Sequence, residues 1–471
     1  MTVGRLVFPA LRWRDATGFA HETGTIEQAL GRGVGGFILF GGRFDQVREL
    51  TARLHAEAGR QLLIAADLER GPGQQVQGLP ELPPPLALAS LEQPALVRGA
   101  GLLTGVHALR AGINWVLAPV ADLDLQPENP IVQTRSFGGD PSRVAALVAA
   151  WIEGCQGGGA MACAKHFPGH GRTTSDSHDA LPSVATDAAT LSQADLVPFE
   201  AAVRAGVGSV MTAHVAFPAL DPAGAPATRS AAILDLLRQR MGFAGLVVSD
   251  ALMMEGALGA LTEGQAAVAA IEAGVDALLY PADPWGAIEA LRQAERGAAF
   301  RRRVNAALER HERALAGLAN PIGSGLEETG SSPAVADWLL GWGLVRGAEP
   351  RFRAPLDLVL IDDDLGERYP PSSSAGLLAE SLLAGGVTLG PGGSTVAVVL
   401  CEPRASKGRA GLSERNAAAL GAAARVADLV LVFGHPRIAA GIPGSAPVLL
   451  AWHRQRLMQE AAARWLRGRL G

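Results

Sequence analysis

Short apolar runs rich in β-branched residues alternate with amphipathic stretches along the first 320 residues of the chain. The stretches between the runs, such as 141–155, 191–205 and 231–241, carry apolar residues at helical spacing. Strands of a parallel sheet are buried on both faces, so the alternation predicts a parallel sheet covered by helices. Eight runs over this length favour a closed, TIM-type (β/α)8 barrel over an open sheet. The predicted strands are 4–13, 34–40, 62–67, 113–122, 161–166, 209–214, 246–250 and 275–280.

The pattern changes after residue 320. A stretch rich in glycine and serine, 321–332, interrupts the alternation and predicts a linker. Beyond it, apolar runs separated by helical segments predict a small second α/β domain, with strands at 356–362, 396–401, 429–433 and 448–452. We therefore expect a barrel over 1–320, a linker over 321–349 and a small α/β sandwich-like domain over 350–471.

Ionisable and polar residues gather where the predicted barrel strands end. In barrels of this type, chemistry takes place at the carboxyl ends of the strands. A barrel with a purely structural role has no need for such residues at this end, so we expect a functional site there. The residues are Asp67, Asp122, Asp124, Lys165, His166, His214, Asp250 and Tyr280.

Composition narrows the possible functions. The net charge of −5 at pH 7 and the pI near 6.1 provide no basic field, so nucleic acid is not an expected partner. Three cysteines without metal-ligand spacing indicate a reducing compartment and no disulfide framework. Residues 1–19 lack the apolar core of a signal peptide, and no stretch approaches the roughly 20 apolar residues of a membrane span. We expect a cytoplasmic protein with no membrane partner, and the oligomeric state stays open.

The segment 165–179 places three histidines, a lysine and two aspartates close together. It reads Lys-His-Phe-Pro-Gly-His-Gly over 165–171 and Asp-Ser-His-Asp over 176–179. Glycine and proline separate these residues, and burying their charges in a core would be costly. Lys165 is one of only two lysines among 41 basic residues, which indicates a position where arginine would not serve. The segment therefore predicts part of a polar site, on the loop after the fifth strand.

Two parts of this pattern are candidates for catalysis. Asp250 ends an apolar run beside a methionine-rich continuation, which suits a nucleophile or general base; the alternative is an N-cap of the next helix. Asp176 could orient His178 and stabilise its protonated form, as the aspartate of a hydrolase triad does. The alternative for this pair is a solvated surface loop.

Other residues are candidates for binding. Lys165 and His166 offer hydrogen-bond donors to an uncharged, hydroxyl-rich ligand, and Arg135 could add a forked donor or else pair with Asp140 or Glu128. Metal is the rival explanation for so many histidines and aspartates. The first predicted strand carries no His-x-His pair, and Pro-Gly separates the loop histidines, so we predict neither a metal nor a cofactor.

These motifs resemble the signature of glycoside hydrolase family 3, and more narrowly that of its bacterial β-N-acetylglucosaminidases. The similarity spans about residues 30 to 285 and includes the segment 165–182. It also includes Gly-Gly-Phe-Ile-Leu-Phe over 35–40, Arg-Ser-Phe-Gly over 135–138, Met-Thr-Ala-His-Val over 211–215 and Val-Ser-Asp-Ala-Leu over 248–252.

The resemblance implies a barrel, a retaining mechanism and specific residue roles. It places the nucleophile at Asp250 and the acid/base at the pair Asp176 and His178. A retaining glycosidase needs such a nucleophile together with a proton donor near the leaving oxygen. The residues it places around the sugar in the −1 subsite are Asp67, Arg135, Lys165 and His166, to which we add His214.

One segment departs from the family pattern. The family continues after its strand-three aspartate as Gln-Glu-Gly-Gly-Arg-Val with a further arginine beyond. This chain has Asp-Leu-Glu-Arg-Gly-Pro-Gly-Gln-Gln-Val-Gln-Gly over 67–78. Gly78 stands where the second arginine is expected, and Arg70 is a candidate substitute. The departure leaves the identity of the sugar open.

We therefore expect an exo-acting β-N-acetylglucosaminidase that forms a covalent glycosyl-enzyme. The resemblance implies that its substrates are cell-wall (muropeptide) fragments, as in peptidoglycan recycling. One alternative is a β-N-acetylglucosaminide phosphorylase, because an imidazole acid/base repels phosphate less than a carboxylate would. The other is a non-catalytic sugar-binding homologue, which the altered 67–78 segment makes conceivable.

Overall fold

The computed structural model describes residues 3–175, 177, 180–318, 332–364, 376–403 and 407–471, and these form two compact units. The first unit comprises 3–80, Gln93–Gln126 and the described residues of 136–318. The second unit comprises Glu81–Glu92, Pro127–Arg135 and the described residues of 332–471.

The strands and helices of the described residues follow one another closely along the chain. The strands are β1 (Val7–Phe8), β2 (Ala10–Arg12), β3 (Gly36–Phe40), β4 (Leu63–Ala66), β5 (Trp115–Val116), β6 (Met161–Phe167), β7 (Ser209–Thr212), β8 (Leu246–Ser249), β9 (Leu278–Leu279), β10 (Leu344–Arg346), β11 (Leu356–Asp362), β12 (Ser394–Cys401), β13 (Leu429–Gly434) and β14 (Val448–Leu450). The helices are α1 (Thr23–Gly31), α2 (Phe44–Ala58), α3 (Pro85–Ser90), α4 (Pro94–Arg110), α5 (Pro141–Gly157), α6 (Ala188–Gln193), α7 (Val197–Arg204), α8 (Ala231–Asp235), α9 (Glu255–Leu258), α10 (Glu263–Ala273), α11 (Pro284–Ala294), α12 (Ala298–Ala316), α13 (Ser332–Gly341), α14 (Leu377–Ala384), α15 (Glu414–Ala423), α16 (Pro436–Ala440) and α17 (Arg456–Arg467).

The first unit is built on a parallel sheet, as predicted. Strands β2 to β8 form seven neighbours in chain order, and every neighbouring pair is parallel. Strands β1 and β9 pair in parallel with Val7 opposite Leu278. Each of the eight predicted runs overlaps a strand. Pro9, which has no backbone N–H, divides the first run, so β1 pairs with β9 and β2 pairs with β3.

Several helices of the first unit begin where the sequence provides caps. Asp140 accepts a hydrogen bond from the backbone N of Arg143 at the start of α5, and Pro141 occupies the first helical position. Thr262 and Gln265 form a reciprocal capping box at the start of α10. These capping residues determine where the helices that follow the strands begin.

One face of the first unit's strands carries a buried core, which we call the core face. It is formed by alternate residues of successive strands, because side chains alternate between the two faces of a sheet. The position two residues beyond the last core residue of a strand therefore lies on the same face, at the carboxyl end. These pairs of core residue and end residue are Ile38 and Phe40, Ala65 and Asp67, Cys163 and Lys165, and Val248 and Asp250.

The second unit contains a five-stranded sheet. Strands β11 to β14 are parallel and adjacent in chain order, and β10 pairs antiparallel with β14 at one edge. The described residues of the predicted linker, 321–349, are not all irregular, because they include α13 and β10. Leu339 and Leu340 of α13 are buried in this unit's core. Ala87 of α3 belongs to the same core, so a segment from the first third of the chain completes the second unit.

The cysteines are buried and unpaired. Cys155, Cys163 and Cys401 are all free thiols. Burial raises the pKa of Cys163 to about 12 and that of Cys401 to about 11, so both stay protonated at neutral pH. In the part of the chain that the structure describes, no helix combines the length and apolar character needed to cross a bilayer. Within that same part, no group of three His, Cys, Asp or Glu side chains could hold a metal ion.

Candidate active site

Lys165 lies near the end of β6 and binds two carboxylates. Its Nζ is 2.7 Å from Asp67 Oδ1 and 2.7 Å from Glu69 Oε1. The side chains of Lys165 and Glu69 are only 2% and 6% exposed, whereas that of Asp67 is 29% exposed. The ammonium is thus neutralised within the protein, and one of its partners reaches the solvent side. Sequence reasoning selected Lys165 and Asp67 but missed Glu69, whose spacing of two from Asp67 was the available signal.

Asp122, at the end of the fourth predicted run, organises two histidines. Its carboxylate accepts hydrogen bonds from the backbone N atoms of His166 at 3.1 Å and His170 at 2.7 Å. It also accepts from His166 Nδ1 at 2.7 Å, so Nδ1 carries the hydrogen. Burial raises the pKa of Asp122, but His166 and His170 outweigh burial, and the net pKa lies below its ordinary value. Asp122 therefore fixes the orientation of the His166 ring.

His170 holds the loop after β6 in shape. Its Nδ1 is hydrogen-bonded to the Thr173 hydroxyl at 2.8 Å, and its Nε2 to the Ser177 hydroxyl at 3.1 Å. Burial lowers the pKa of His170 to about 4, so the ring is neutral at neutral pH. Gly171 is required here because a Cβ would lie 1.7 Å from the carbonyl oxygen of Leu123. The loop can therefore pass this point only with glycine.

Asp176 and His178, the predicted acid/base pair, lie outside the described residues. Ser177 between them is described, and it is buried. Its carbonyl oxygen accepts a hydrogen bond of 3.0 Å from the backbone N of Gly256, at the start of α9. The loop is therefore tied to the chain segment that follows Asp250.

Asp250 comes directly after β8, at the carboxyl end of the core face. Its Oδ1 accepts a hydrogen bond of 2.7 Å from the backbone N of Ala251, and its own N donates to the carbonyl of Thr212 at 3.3 Å. The alternative that Asp250 is an N-cap is wrong, because the next helix, α9, begins at Glu255 with Met254 in the N-cap position. The sheet therefore presents Asp250 independently of a helix.

His214 supports the loop that begins with Asp250. The ring is fully buried, and its Nε2 donates to the carbonyl oxygen of Ala251 at 3.1 Å. Its Nδ1 is hydrogen-bonded to the Thr228 hydroxyl at 2.8 Å. Burial lowers the pKa of His214, which keeps the ring neutral. Direct contact of His214 with a ligand stays a prediction, and both of its ring nitrogens are engaged within the protein.

Arg135 belongs to a segment that the structure groups with the second unit. It ends a short 3-10 turn (Gln133–Arg135), and its Nη1 donates to the carbonyl of Ile131 at 3.3 Å. Gln133 Nε2 donates to the carbonyl oxygens of Asn129 at 2.9 Å and Ala410 at 3.1 Å. The backbone that carries Arg135 is therefore fixed by residues of the second unit.

The arrangement in the first unit combines three chemical capabilities. Asp250 offers a carboxylate at a rigid strand end, braced from behind by His214. Lys165 supplies a cationic donor for hydroxyl groups, and His166, whose Nδ1 is held by Asp122, presents Nε2 to a ligand. Asp67, partly exposed, supplies an acceptor for hydroxyl groups. Such a set can hold a polyhydroxylated ligand and attack an electrophilic carbon.

Comparison with known proteins agrees with this chemistry. The model of the glycosyl hydrolase family 3 N-terminal domain matches residues 16–314. A β-hexosaminidase of Chromobacterium violaceum is 41% identical over 263 residues, which cover 53% of this chain and 72% of that protein. A β-N-acetylglucosaminidase/β-glucosidase of Cellulomonas fimi is 34% identical over 383 residues, which cover 78% of this chain and 66% of that protein. The solved structure of a family 3 β-N-acetylglucosaminidase from Paenibacillus sp. str. FPU-7 is similar with a TM-score of 0.80 at 27% identity, covering 100% of this chain and 96% of that one.

Proposed function

The chain belongs to glycosyl hydrolase family 3, and we propose that it is a retaining exo-β-N-acetylglucosaminidase that removes terminal β-linked N-acetylglucosamine. It is a glycoside hydrolase of the β-N-acetylhexosaminidase class and acts on a carbohydrate. The observation that carries the proposal is the placement of Asp250 at the carboxyl end of β8, on the core face that also presents Lys165 and Asp67. This is the end of a parallel sheet at which α/β enzymes carry out chemistry.

We assign the nucleophile to Asp250. Its carboxylate attacks the anomeric carbon while the bond from that carbon to the leaving oxygen breaks, which gives a covalent glycosyl-enzyme. The hydrogen bond from the Ala251 N and the bracing of Ala251 by His214 support this role, because they hold the attacking group in one place. His214 thus acts as a positioning residue in this proposal.

We assign proton transfer to His178, oriented by Asp176. The protonated imidazole gives its proton to the leaving oxygen in the first step. In the second step the neutral imidazole takes a proton from water, and the resulting attack on the anomeric carbon breaks the bond to Asp250 with net retention. The proposal draws support from Ser177, whose hydrogen bonds to His170 and Gly256 tie the loop to the segment after Asp250.

We assign the hydroxyl groups of the −1 sugar to Lys165, His166, Asp67 and Arg135. Lys165 lies against Asp67 and Glu69, so its N–H donors have a fixed direction. Asp122 holds His166 through Nδ1 and thereby leaves Nε2 as the ring atom for a ligand. The role of Arg135 rests on the family pattern alone.

We also propose a closed (β/α)8 barrel for the first unit. The pairing of β1 with β9 and the bridge between Val248 and Ala277 support closure, because they connect β8 and β9 with the first run. In this proposal, most of the barrel lies within residues 1–320 and most of the small α/β domain within residues 350–471. Cell-wall fragments as the substrate source and a cytoplasmic location remain proposals, the latter supported by three buried, unpaired cysteines.

The test is to trap the glycosyl-enzyme. Incubation with an activated 2-deoxy-2-fluoro glycoside, followed by proteolysis and mass spectrometry, should label the peptide that contains Asp250. Asp250→Asn should take up no label and should not turn over 4-nitrophenyl β-N-acetylglucosaminide. A label on another carboxylate, or equal turnover by the wild type and Asp250→Asn, would exclude Asp250 as the nucleophile. Proton NMR of the first product formed should show the β-anomer, and the α-anomer would exclude retention.

A further inference from the structure

Arg12 is a further charged residue at the carboxyl end of the sheet. It is the last residue of β2 and the register partner of Phe40 on β3. Ala10, two residues earlier, packs against the buried core of the core face. Because side chains alternate along a strand, Arg12 lies on that same face, with Lys165 and Asp250. The proposed mechanism gives Arg12 no role.

The guanidinium of Arg12 is held by two aromatic rings and a hydroxyl. Its central carbon lies 4.5 Å from the ring centre of Phe40 and 5.0 Å from that of Tyr280. The two rings are 5.4 Å apart, and Arg12 Nη2 donates to the Tyr280 hydroxyl. Stacking of this kind fixes a guanidinium without neutralising its charge. The side chain is therefore preorganised while the residue stays exposed.

No carboxylate of the described residues forms an ion pair with this guanidinium. Glu22 accepts a hydrogen bond of 3.0 Å from the backbone N of Arg12 rather than from its side chain. Lys165, in contrast, has two carboxylate partners. A fixed guanidinium with N–H groups to spare and no carboxylate partner among the described residues is suited to an oxyanion, which it can bind through two parallel hydrogen bonds.

Arg12 is linked to the loop that carries Asp250. Tyr280, which holds Arg12, accepts a hydrogen bond at its carbonyl oxygen from the backbone N of Met253 at 3.4 Å. The neighbouring Leu252 N donates to the carbonyl of Leu279 at 2.9 Å. The segment that starts at Asp250 therefore packs directly on the residue that positions the guanidinium. Arg12 therefore lies at the same end of the sheet as Asp250 and is connected to the Asp250 loop through Tyr280.

We propose that Arg12 binds an oxyanion at this site: a carboxylate on the leaving group of the substrate, or inorganic phosphate. The inference rests on the proposed function, because it adds a charged group to the ligand of the same site. The hydroxyl groups of the sugar are uncharged and already have a donor in Lys165 and an acceptor in Asp67. An unneutralised cation on the same face adds affinity for an anionic ligand and little for a neutral one.

The first arm of the test compares two glycosides that differ in one charge. The substrates are the 4-carboxyphenyl and 4-carbamoylphenyl β-N-acetylglucosaminides, assayed with the wild type, Arg12→Gln, Arg12→Lys and Arg14→Gln. We expect Arg12→Gln to lower kcat/KM for the carboxylate about tenfold and for the amide less than about twofold. Arg12→Lys should retain part of the preference because it keeps the charge. Arg14, an exposed arginine two residues further on, is the matched control and should have no effect on the ratio.

The second arm measures how inorganic phosphate changes the turnover rate. Phosphate should change the rate of 4-carbamoylphenyl glycoside turnover by the wild type but not by Arg12→Gln, with potassium chloride of equal ionic strength as the control. An effect in this arm alone assigns the site to phosphate, and release of a sugar 1-phosphate would identify phosphate as the acceptor. An effect in the first arm alone assigns the site to the leaving group.

Other outcomes overturn the proposal. If Arg12→Gln lowers kcat/KM equally for both glycosides and leaves the effect of phosphate on the rate unchanged, Arg12 contacts the shared sugar and binds no oxyanion. The same conclusion follows if Arg14→Gln reproduces the effect of Arg12→Gln. If the wild type turns over neither glycoside, the proposed function fails, and calorimetry with inorganic phosphate on the wild type and Arg12→Gln still decides whether Arg12 binds an oxyanion.

Discussion

The buried ammonium of Lys165 lies 2.7 Å from the carboxylate of Glu69. Because Asp67 contacts the same ammonium from the more exposed side, Lys165 sits between one structural and one accessible carboxylate. A buried charge is tolerated only when it is paired and hydrogen-bonded, and here the pairing also gives the ammonium a fixed direction. This explains why the position holds one of the two lysines of the chain.

Replacing Lys165 with arginine should fail to preserve activity. The guanidinium is larger and planar. The Lys165 side chain is only 2% exposed, and its Nζ lies between two carboxylates, each 2.7 Å away. We expect kcat/KM for 4-nitrophenyl β-N-acetylglucosaminide to fall at least about tenfold in Lys165→Arg and further in Lys165→Met. Thermal unfolding of both variants is the control for loss of fold. Wild-type kinetics in Lys165→Arg would show that only the charge matters.

The strands of the first unit could be predicted because each lies in a run of mostly apolar residues. The limits of the prediction are also physical. Pro9 splits the first run between two partners, which becomes visible only when the neighbouring strands are known. The linker was predicted from the glycine and serine content of 321–332, while Leu339 and Leu340, which bury α13 in the second unit, follow directly afterwards. Composition alone does not separate these two stretches.

The site could be predicted as a set of residue types but not as a set of contacts. Strand ends identified Asp67, Lys165 and Asp250, because the ends of parallel strands meet at one edge. The role of Asp122 depends on backbone N–H groups of the loop after β6, which no sequence pattern reports. The segment that carries Arg135 is grouped with the second unit through contacts such as that of Gln133 with Ala410, which lies 277 residues away in sequence.

His214 should act on catalysis through the position of Asp250. His214→Phe removes the donor to Ala251 and the partner of Thr228, so we expect kcat to fall by about 100-fold with little change in KM. The side-chain amide of glutamine can place a donor near the Nε2 position, so His214→Gln should recover part of the loss. Steady-state kinetics of both variants decides the question. An equal rise in KM for both, with kcat unchanged, would instead indicate direct contact with the sugar.

Stability should depend on pH through His170. The pKa of this ring is about 4 in the folded protein and about 6.5 in the unfolded chain, so the unfolded state binds more protons between these values. Stability therefore falls as the pH falls from about 6.5 to 4, by roughly 3 kcal/mol from this group. Urea unfolding at several pH values should show that the free energy of unfolding depends less steeply on pH in His170→Gln than in the wild type. Identical slopes would show that His170 does not carry the effect, since other buried histidines are common to both proteins.

The second lysine of the chain, Lys407, lies at the carboxyl ends of the second unit's strands. Its Nζ is 3.3 Å from Asp363 Oδ2 and 3.1 Å from Asp364 Oδ1, and its side chain is only 6% exposed. Burial lowers the pKa of Lys407, but Cys401 and the two aspartates outweigh burial, and the net pKa lies above its ordinary value. Arg409 contacts the same Asp363 Oδ2 at 2.7 Å and is 40% exposed. The two cations therefore share a carboxylate but differ in burial.

This difference predicts unequal effects of removing each cation. Lys407→Met removes one cationic partner from each of two fully buried aspartates, while Asp363 keeps Arg409 and Asp364 keeps Arg454, so we expect the free energy of unfolding to fall by about 1.5–3 kcal/mol. Arg409→Gln removes a partly exposed charge, and we expect a loss of about 1 kcal/mol or less. Urea unfolding of the full chain measures both free-energy losses. Turnover of 4-nitrophenyl β-N-acetylglucosaminide at urea concentrations well below the unfolding transition should be unchanged, because the proposed nucleophile lies in the first unit. Equal losses in the two variants would show that burial does not set the strength of these pairs.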